Sequence, residues 1–109
     1  MEVEMNERPS HWRMMEEFNP SLFEKIEPWR QQMLADGVLT RREKELIMSA
    51  MCAVVRFNAG FEIHAESALS NGATDAELFE ACALTLLIGG VPAYRESVLI
   101  LEEILSQRS

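Results

Sequence analysis

Residues 81–88 read Ala-Cys-Ala-Leu-Thr-Leu-Leu-Ile and are followed at once by Gly89-Gly90. Wound into a helix, this run is apolar on every side, so it has to be covered either at the centre of its own chain or in an interface between subunits. The paired glycines stop it. Pro92 then suits the first turn of a following helix, where its missing N–H costs no hydrogen bond. The chain has 109 residues, enough for one domain and too few for a second core. A domain of this size buries only about two thirds of the surface its unfolded chain exposes. Burial shared between subunits would help cover such a helix.

The rest of the chain carries the helical period as well. No stretch sustains an alternation of apolar and polar residues, and Asn71-Gly72, the one hairpin-like pair, follows a helical stretch and reads as its C-terminus. Thr40 with Glu43, and Thr74 with Glu77, form T-x-x-E capping boxes that mark two helix starts. After the first box, Leu46, Ile47, Ala50, Met51 and Val54 form an apolar stripe, while Glu45 shares a different face with Met48, Ser49, Cys52 and Arg56. The next helix, from about Asn58 to Ser70, continues or kinks from this one at Gly60. Upstream, a short helix from Pro9-Ser10 to about Phe18 offers Trp12, Met15 and Phe18 for packing. A second, from about Ser21 to Ala35, is expected to kink or divide at Pro28. The last helix presents Val98, Leu99, Leu101, Ile104 and Leu105. The expected fold is all-α, a compact bundle of five to six helices forming a single domain over residues 1–109, with residues 1–19 as an N-terminal extension.

Composition removes several classes of function. Eighteen acidic residues against ten Lys and Arg give a net charge of −8, which repels phosphate backbones and anionic lipid surfaces. Neither nucleic acid nor membrane is an expected partner. The uncharged stretch Ala81–Ala93 falls short of the ~20 apolar residues a bilayer requires. Glu2, Glu4 and Glu7 stand where a secretory leader would be basic, so the expected location is cytoplasmic. Cys52 and Cys82 lie inside apolar helical patterns and read as free, buried thiols. Two distant histidines with no HExxH or CxxC give no metal site, and there is no GxSxG elbow or glycine-rich phosphate cradle.

Two residues remain as candidates for chemistry. His64 shares a helical face with Phe57, Gly60 and Phe61, where a histidine is either a satisfied core residue or a proton carrier. Glu45 lies on a face with Met48 and Cys52. A carboxylate there is a solvated helix charge, or it is partly buried and must be paired or have its pKa raised. His11, near the N-terminus, reads as a surface or packing residue. Spacing alone leaves these alternatives open.

A resemblance narrows them. The segments LTRREKELIMSA, FNAGFEIHAESALSNGATDAELFEA and GGVPAYRES, spread between about Leu39 and Leu105, resemble the carboxymuconolactone decarboxylase and alkylhydroperoxidase D-like family. The order His64, Gly72-Ala73-Thr74, Glu77 and then Gly89-Gly90-x-Pro92-Ala93 carries the match. The redox branch of that family reads E-x11-C-x2-C-x3-H, which lays its Glu on Glu45 and its His on His64. Its two cysteines fall on Phe57 and Gly60, so a thiol peroxidase or disulfide reductase cycle has no sulfur to run on. The decarboxylase branch lacks the pair. The resemblance implies a decarboxylase-like lyase without a cofactor, moving a proton on a small carbonyl or lactone acid, with His64 and Glu45 as catalytic residues. Beside them, Phe57 and Gly60 would border the pocket. Charge and position suggest Arg56 and Arg95 for a substrate carboxylate. The competing expectation is a non-catalytic relative that binds a small molecule or serves as a structural oligomer. The resemblance also implies a homo-oligomer, a trimer or hexamer.

Overall fold

The structure, a computed structural model, describes residues 10–108. Five helices and no strand occur among the described residues: α1 (Ser10–Phe18), α2 (Pro20–Leu34), α3 (Arg41–Val54), α4 (Asn58–Ser70) and α5 (Asp75–Ser106). The all-α class expected from the sequence is the one observed. The chain divides into two compact units between Ala35 and Asp36.

In the first unit α1 and α2 pack on each other. Trp12 lies beside His11, with ring centroids 4.8 Å apart, and the Arg30 guanidinium sits 5.1 Å from the Trp12 ring centre. The Asn19 side chain caps α2 by accepting from the Leu22 N–H at 3.2 Å, with Pro20 in the first turn. Contrary to one expectation, α2 runs through Pro28 without dividing. Glu24 and Pro28 are both exposed, so the carbonyl that loses its partner can turn to water. No residue of α1 is buried, and Phe18 is 74% exposed. Pro9 and the rest of the expected extension before it lie outside the described residues.

The second unit is built on α3, which packs against both α4 and α5. Both capping boxes form. Thr40 N–H donates to Glu43 Oε1 at 2.9 Å and Glu43 N–H to Thr40 Oγ1 at 3.1 Å, and Thr74 and Glu77 repeat the exchange. Helices α3 and α4 then end in the same motif. Phe57 N–H reaches the Cys52 carbonyl and Arg56 N–H that of Ala53; in α4, Ala73 N–H reaches Ala68 and Gly72 N–H reaches Leu69. The motif requires one left-handed residue. In α4 that is Gly72, at φ 98°, but in α3 it is Arg56, at φ 64°, a conformation that costs a residue with a side chain about 1–2 kcal/mol. The break between the two helices therefore falls at residues 55–57, and Gly60 sits inside α4, not at a kink.

Burial on α3 selects between the readings left open for Glu45. Its buried residues are Glu45, Ser49 and Ala53, while Ile47 and Met51 of the apolar stripe are exposed. Small residues, chiefly Ala53, Ala65 and Ala68, fill the core beside Phe61, Leu78 and Leu101. They let polar side chains on facing helices meet directly. Helix α5 is broken at Gly90 (φ 81°, ψ 177°), a region open in practice to glycine alone, with Pro92 at the start of its second segment. By length and composition α5 would pass for a membrane span, yet its Leu78, Cys82, Leu101 and Ile104 sit in the core. Within the 81–88 run only Cys82 and Thr85 are buried. Leu84, Leu87 and Ile88 are 63%, 76% and 80% exposed. The run is not the centre of its own chain.

Candidate active site

The buried face of α3 points a carboxylate at α4. Glu45 is 1% exposed, and its two oxygens receive three donors. His64 Nδ1 lies 2.7 Å from Oε1, while Ser67 Oγ donates to Oε2 at 2.7 Å and Arg41 Nε to the same oxygen at 2.8 Å. Helical spacing brings these groups together. Arg41 is one turn before Glu45 on α3, and His64 and Ser67 are one turn apart on the facing side of α4. Asn71 supports Ser67 by donating to its carbonyl at 2.8 Å. Ser49 Oγ donates to the Glu45 carbonyl and does not reach the carboxylate.

Burial alone would push the Glu45 pKa up. The hydrogen bonds from His64, Ser67 and Arg41, with the charge on His64, outweigh it and hold the carboxyl below its usual value. Glu45 is thus ionised and can only accept. His64 must then carry its proton on Nδ1, which leaves Nε2 as the nitrogen that takes up or gives away a proton. The His64 side chain is 27% exposed, so Nε2 is within reach of a ligand while Glu45 is not.

The other candidates are placed as follows. Phe57 caps the start of α4 and lays its ring on Gly60. A Cβ at residue 60 would stand 2.4 and 2.5 Å from two ring carbons and 3.0 Å from Cys52 Sγ. The ring of residue 57 thus occupies the space a side chain at 60 would need. Arg56 is held by Glu96 of α5, which also accepts from Asn58 at 3.1 Å. Arg95 is exposed and has no ion pair among the described residues. Neither arginine is brought to the Glu45 cluster. Burial, and then the Glu45 charge, push the Cys52 thiol up, and burial does the same to Cys82 against a hydrogen bond with Ser97. Both cysteines are free. No cluster of three metal-binding side chains occurs among the described residues. A surface groove of about 280 Å³ runs between α4 and the end of α5, lined by Glu62, Glu66, Glu103, Leu99 and Ile104. It contains neither His64 nor Glu45.

Sequence reasoning missed Arg41 and Ser67. Their signals were present, an i,i+4 pair with Glu45 and an i,i+3 pair with His64. In the run Arg41-Arg42-Glu43-Lys44-Glu45, however, nothing in the spacing separates the ion pair that is buried from those that are not.

An all-α unit in which a buried glutamate on one helix hydrogen-bonds a histidine on the next defines a class of small helical scaffold with a Glu–His pair between two helices. Comparison with known proteins gives that class its family. Residues 20–103 match the profile of the carboxymuconolactone decarboxylase family, and the chain belongs to it. Among solved structures it is similar to a protein of Burkholderia xenovorans LB400 provisionally named a carboxymuconolactone decarboxylase, with a TM-score of 0.75 and 24% identity over 96% of this chain and 88% of that one. That likeness is one of fold. No functionally curated protein matches the chain.

Proposed function

We propose that the chain is a cofactor-free acid/base enzyme of the decarboxylase type, in which His64 transfers a proton to a small carbonyl or lactone acid. The observation that carries the reading is the 2.7 Å contact of His64 Nδ1 with a charged, buried Glu45. Loss of CO₂ breaks the bond from carbon to carboxylate and leaves its electron pair on that carbon, conjugated with the carbonyl. The imidazolium Nε2–H then protonates the carbon, and water returns the proton to the ring. Glu45 stabilises the imidazolium and keeps the neutral ring in the Nδ1–H tautomer. Phe57, over Gly60, supplies an apolar border near this site, in the positions where the redox branch carries its thiols.

A second reading, a non-catalytic member that binds a small molecule or acts as a structural oligomer, is favoured by the absence of His64 and Glu45 from the groove between α4 and α5. Both readings include assembly. The exposed Ile47 and Met51 of α3 and Leu84, Leu87 and Ile88 of α5 make an apolar surface that further copies would cover in a trimer or hexamer.

The test is to incubate the protein with small keto and lactone acids in D₂O and follow CO₂ release and deuterium at the carbon that lost its carboxylate. His64→Gln and Glu45→Gln are expected to abolish both signals while the far-UV spectrum stays helical. Full activity in both variants would remove the assignment. Thermal stabilisation by a ligand with no turnover would select the non-catalytic reading.

A further inference from the structure

Arg41 engages the Glu45 cluster with one edge only. Its Nε donates to Glu45 Oε2 at 2.8 Å, its Nη2 stands 3.5 Å from Ser67 Oγ, and its Nη1 has no partner among the described residues. A guanidinium offers five N–H donors in a planar fork, so most of them are unused on a side chain that is 31% exposed. His64 stands on the opposite oxygen of the same carboxylate, also partly exposed, with Nε2 free. The buried glutamate thus has a partly exposed nitrogen base or cation on each oxygen.

Charge favours an anion here. Arg41 balances the charge on Glu45, so the cluster carries no net negative charge inside a chain of −8 that counts its histidines as neutral. The other arginines of this unit near the ends of α3 are already committed, Arg42 to Glu77 and Arg56 to Glu96. A fork-shaped cation with a free edge matches a carboxylate in particular, since two parallel N–H bonds meet its two oxygens.

We propose that Arg41 binds the substrate at this site, its free guanidinium edge taking the carboxylate of a small carboxylic acid within reach of the His64 imidazole. Its place in catalysis rests on the acid/base reading above; the binding itself does not.

The experiment is calorimetric titration of the full chain with levulinate, a γ-keto monocarboxylate, and with its neutral methyl ester. The acid is expected to bind roughly 10- to 100-fold more tightly than the ester, the worth of a charge-assisted hydrogen bond. Arg41→Gln should bring the acid to the affinity of the ester. Arg95→Gln removes an exposed guanidinium that is not brought to the Glu45 cluster, so it should keep the preference. Equal binding of acid and ester, binding of neither, a preference that survives Arg41→Gln, or one lost in Arg95→Gln would each overturn the proposal. No step requires turnover. Levulinate reports binding only, since loss of its carboxylate would leave a carbanion not conjugated with the ketone; binding through Arg41 with no CO₂ release from the keto and lactone acids of the deuterium test would refute the acid/base reading alone.

Discussion

Gly60→Ala should destabilise this protein, and the same substitution should stabilise it once Phe57 is alanine. The new Cβ would stand 2.4 and 2.5 Å from two carbons of the Phe57 ring, more than 1 Å inside the ~3.5–4.0 Å separation at which carbon atoms rest. Phe57 is 54% exposed, so its ring can swing out, which bounds the penalty at the overpacking range of about 1–3 kcal/mol. Against this, alanine is favoured over glycine inside a helix by about 0.8–1 kcal/mol. Gly60→Ala alone should therefore cost about 0–2 kcal/mol. In a Phe57→Ala background the clash is gone, only Cys52 Sγ at 3.0 Å presses on the methyl, and the helix gain of up to about 1 kcal/mol emerges. The assay is urea denaturation of the four proteins of the double-mutant cycle, followed by far-UV circular dichroism at one protein concentration. A coupling energy of about 1–3 kcal/mol is expected. If Gly60→Ala has the same effect, within about 0.5 kcal/mol, in both backgrounds, the ring does not rest on Gly60 and the reasoning fails.

Other outcomes follow from the same geometry. Glu45→Ala leaves Arg41 and His64 facing an empty acceptor and should cost about 3–5 kcal/mol in chemical denaturation, while Ser67→Ala, losing one charge-assisted bond, should cost about 1.5–3 kcal/mol; equal effects would show that the carboxylate is not the hub. Because the Glu45 pKa is lowered in the folded state, its stabilisation is complete above the ordinary value of 4.5 and is lost as pH falls through the lower folded value. Glu45→Gln should flatten that part of the acid limb in pH-dependent denaturation, and an unchanged limb would count against an ionised Glu45. Arg56→Val should be less stable than Arg56→Gly by about 1–2 kcal/mol, since only glycine takes φ 64° without strain; the reverse order would mean the α3 terminus is built differently. If copies assemble over the exposed apolar face as proposed, Leu87→Glu, at a position 76% exposed, should lower the mass seen in light scattering while keeping helicity, and an unchanged mass would overturn that interface.

Much of the fold was legible because it is written in local signals. The capping boxes at Thr40 and Thr74, the glycine at 72 and the Gly89-Gly90 break each act within a few residues, and each turned out where the sequence put it. The end of α3 was not legible, because an arginine holds the left-handed position that glycine holds in α4. The inward face of α3 was misleading for a related reason. Hydrophobic periodicity finds an apolar stripe but does not say what covers it, and here a polar cluster faces the chain's own interior. Glu45 and His64 were nominated by type and spacing, yet 19 residues of sequence carry no distance. Their meeting depends on how α3 and α4 pack, and so on the small side chains between them.

Among the described residues, the side chains that hydrogen-bond the Glu45 carboxylate lie between Arg41 and Ser67. The donors arrive on two consecutive helices, and whatever pulls α4 away from α3 takes His64 and Ser67 from Glu45 together while leaving Arg41, on the carboxylate's own helix, in place.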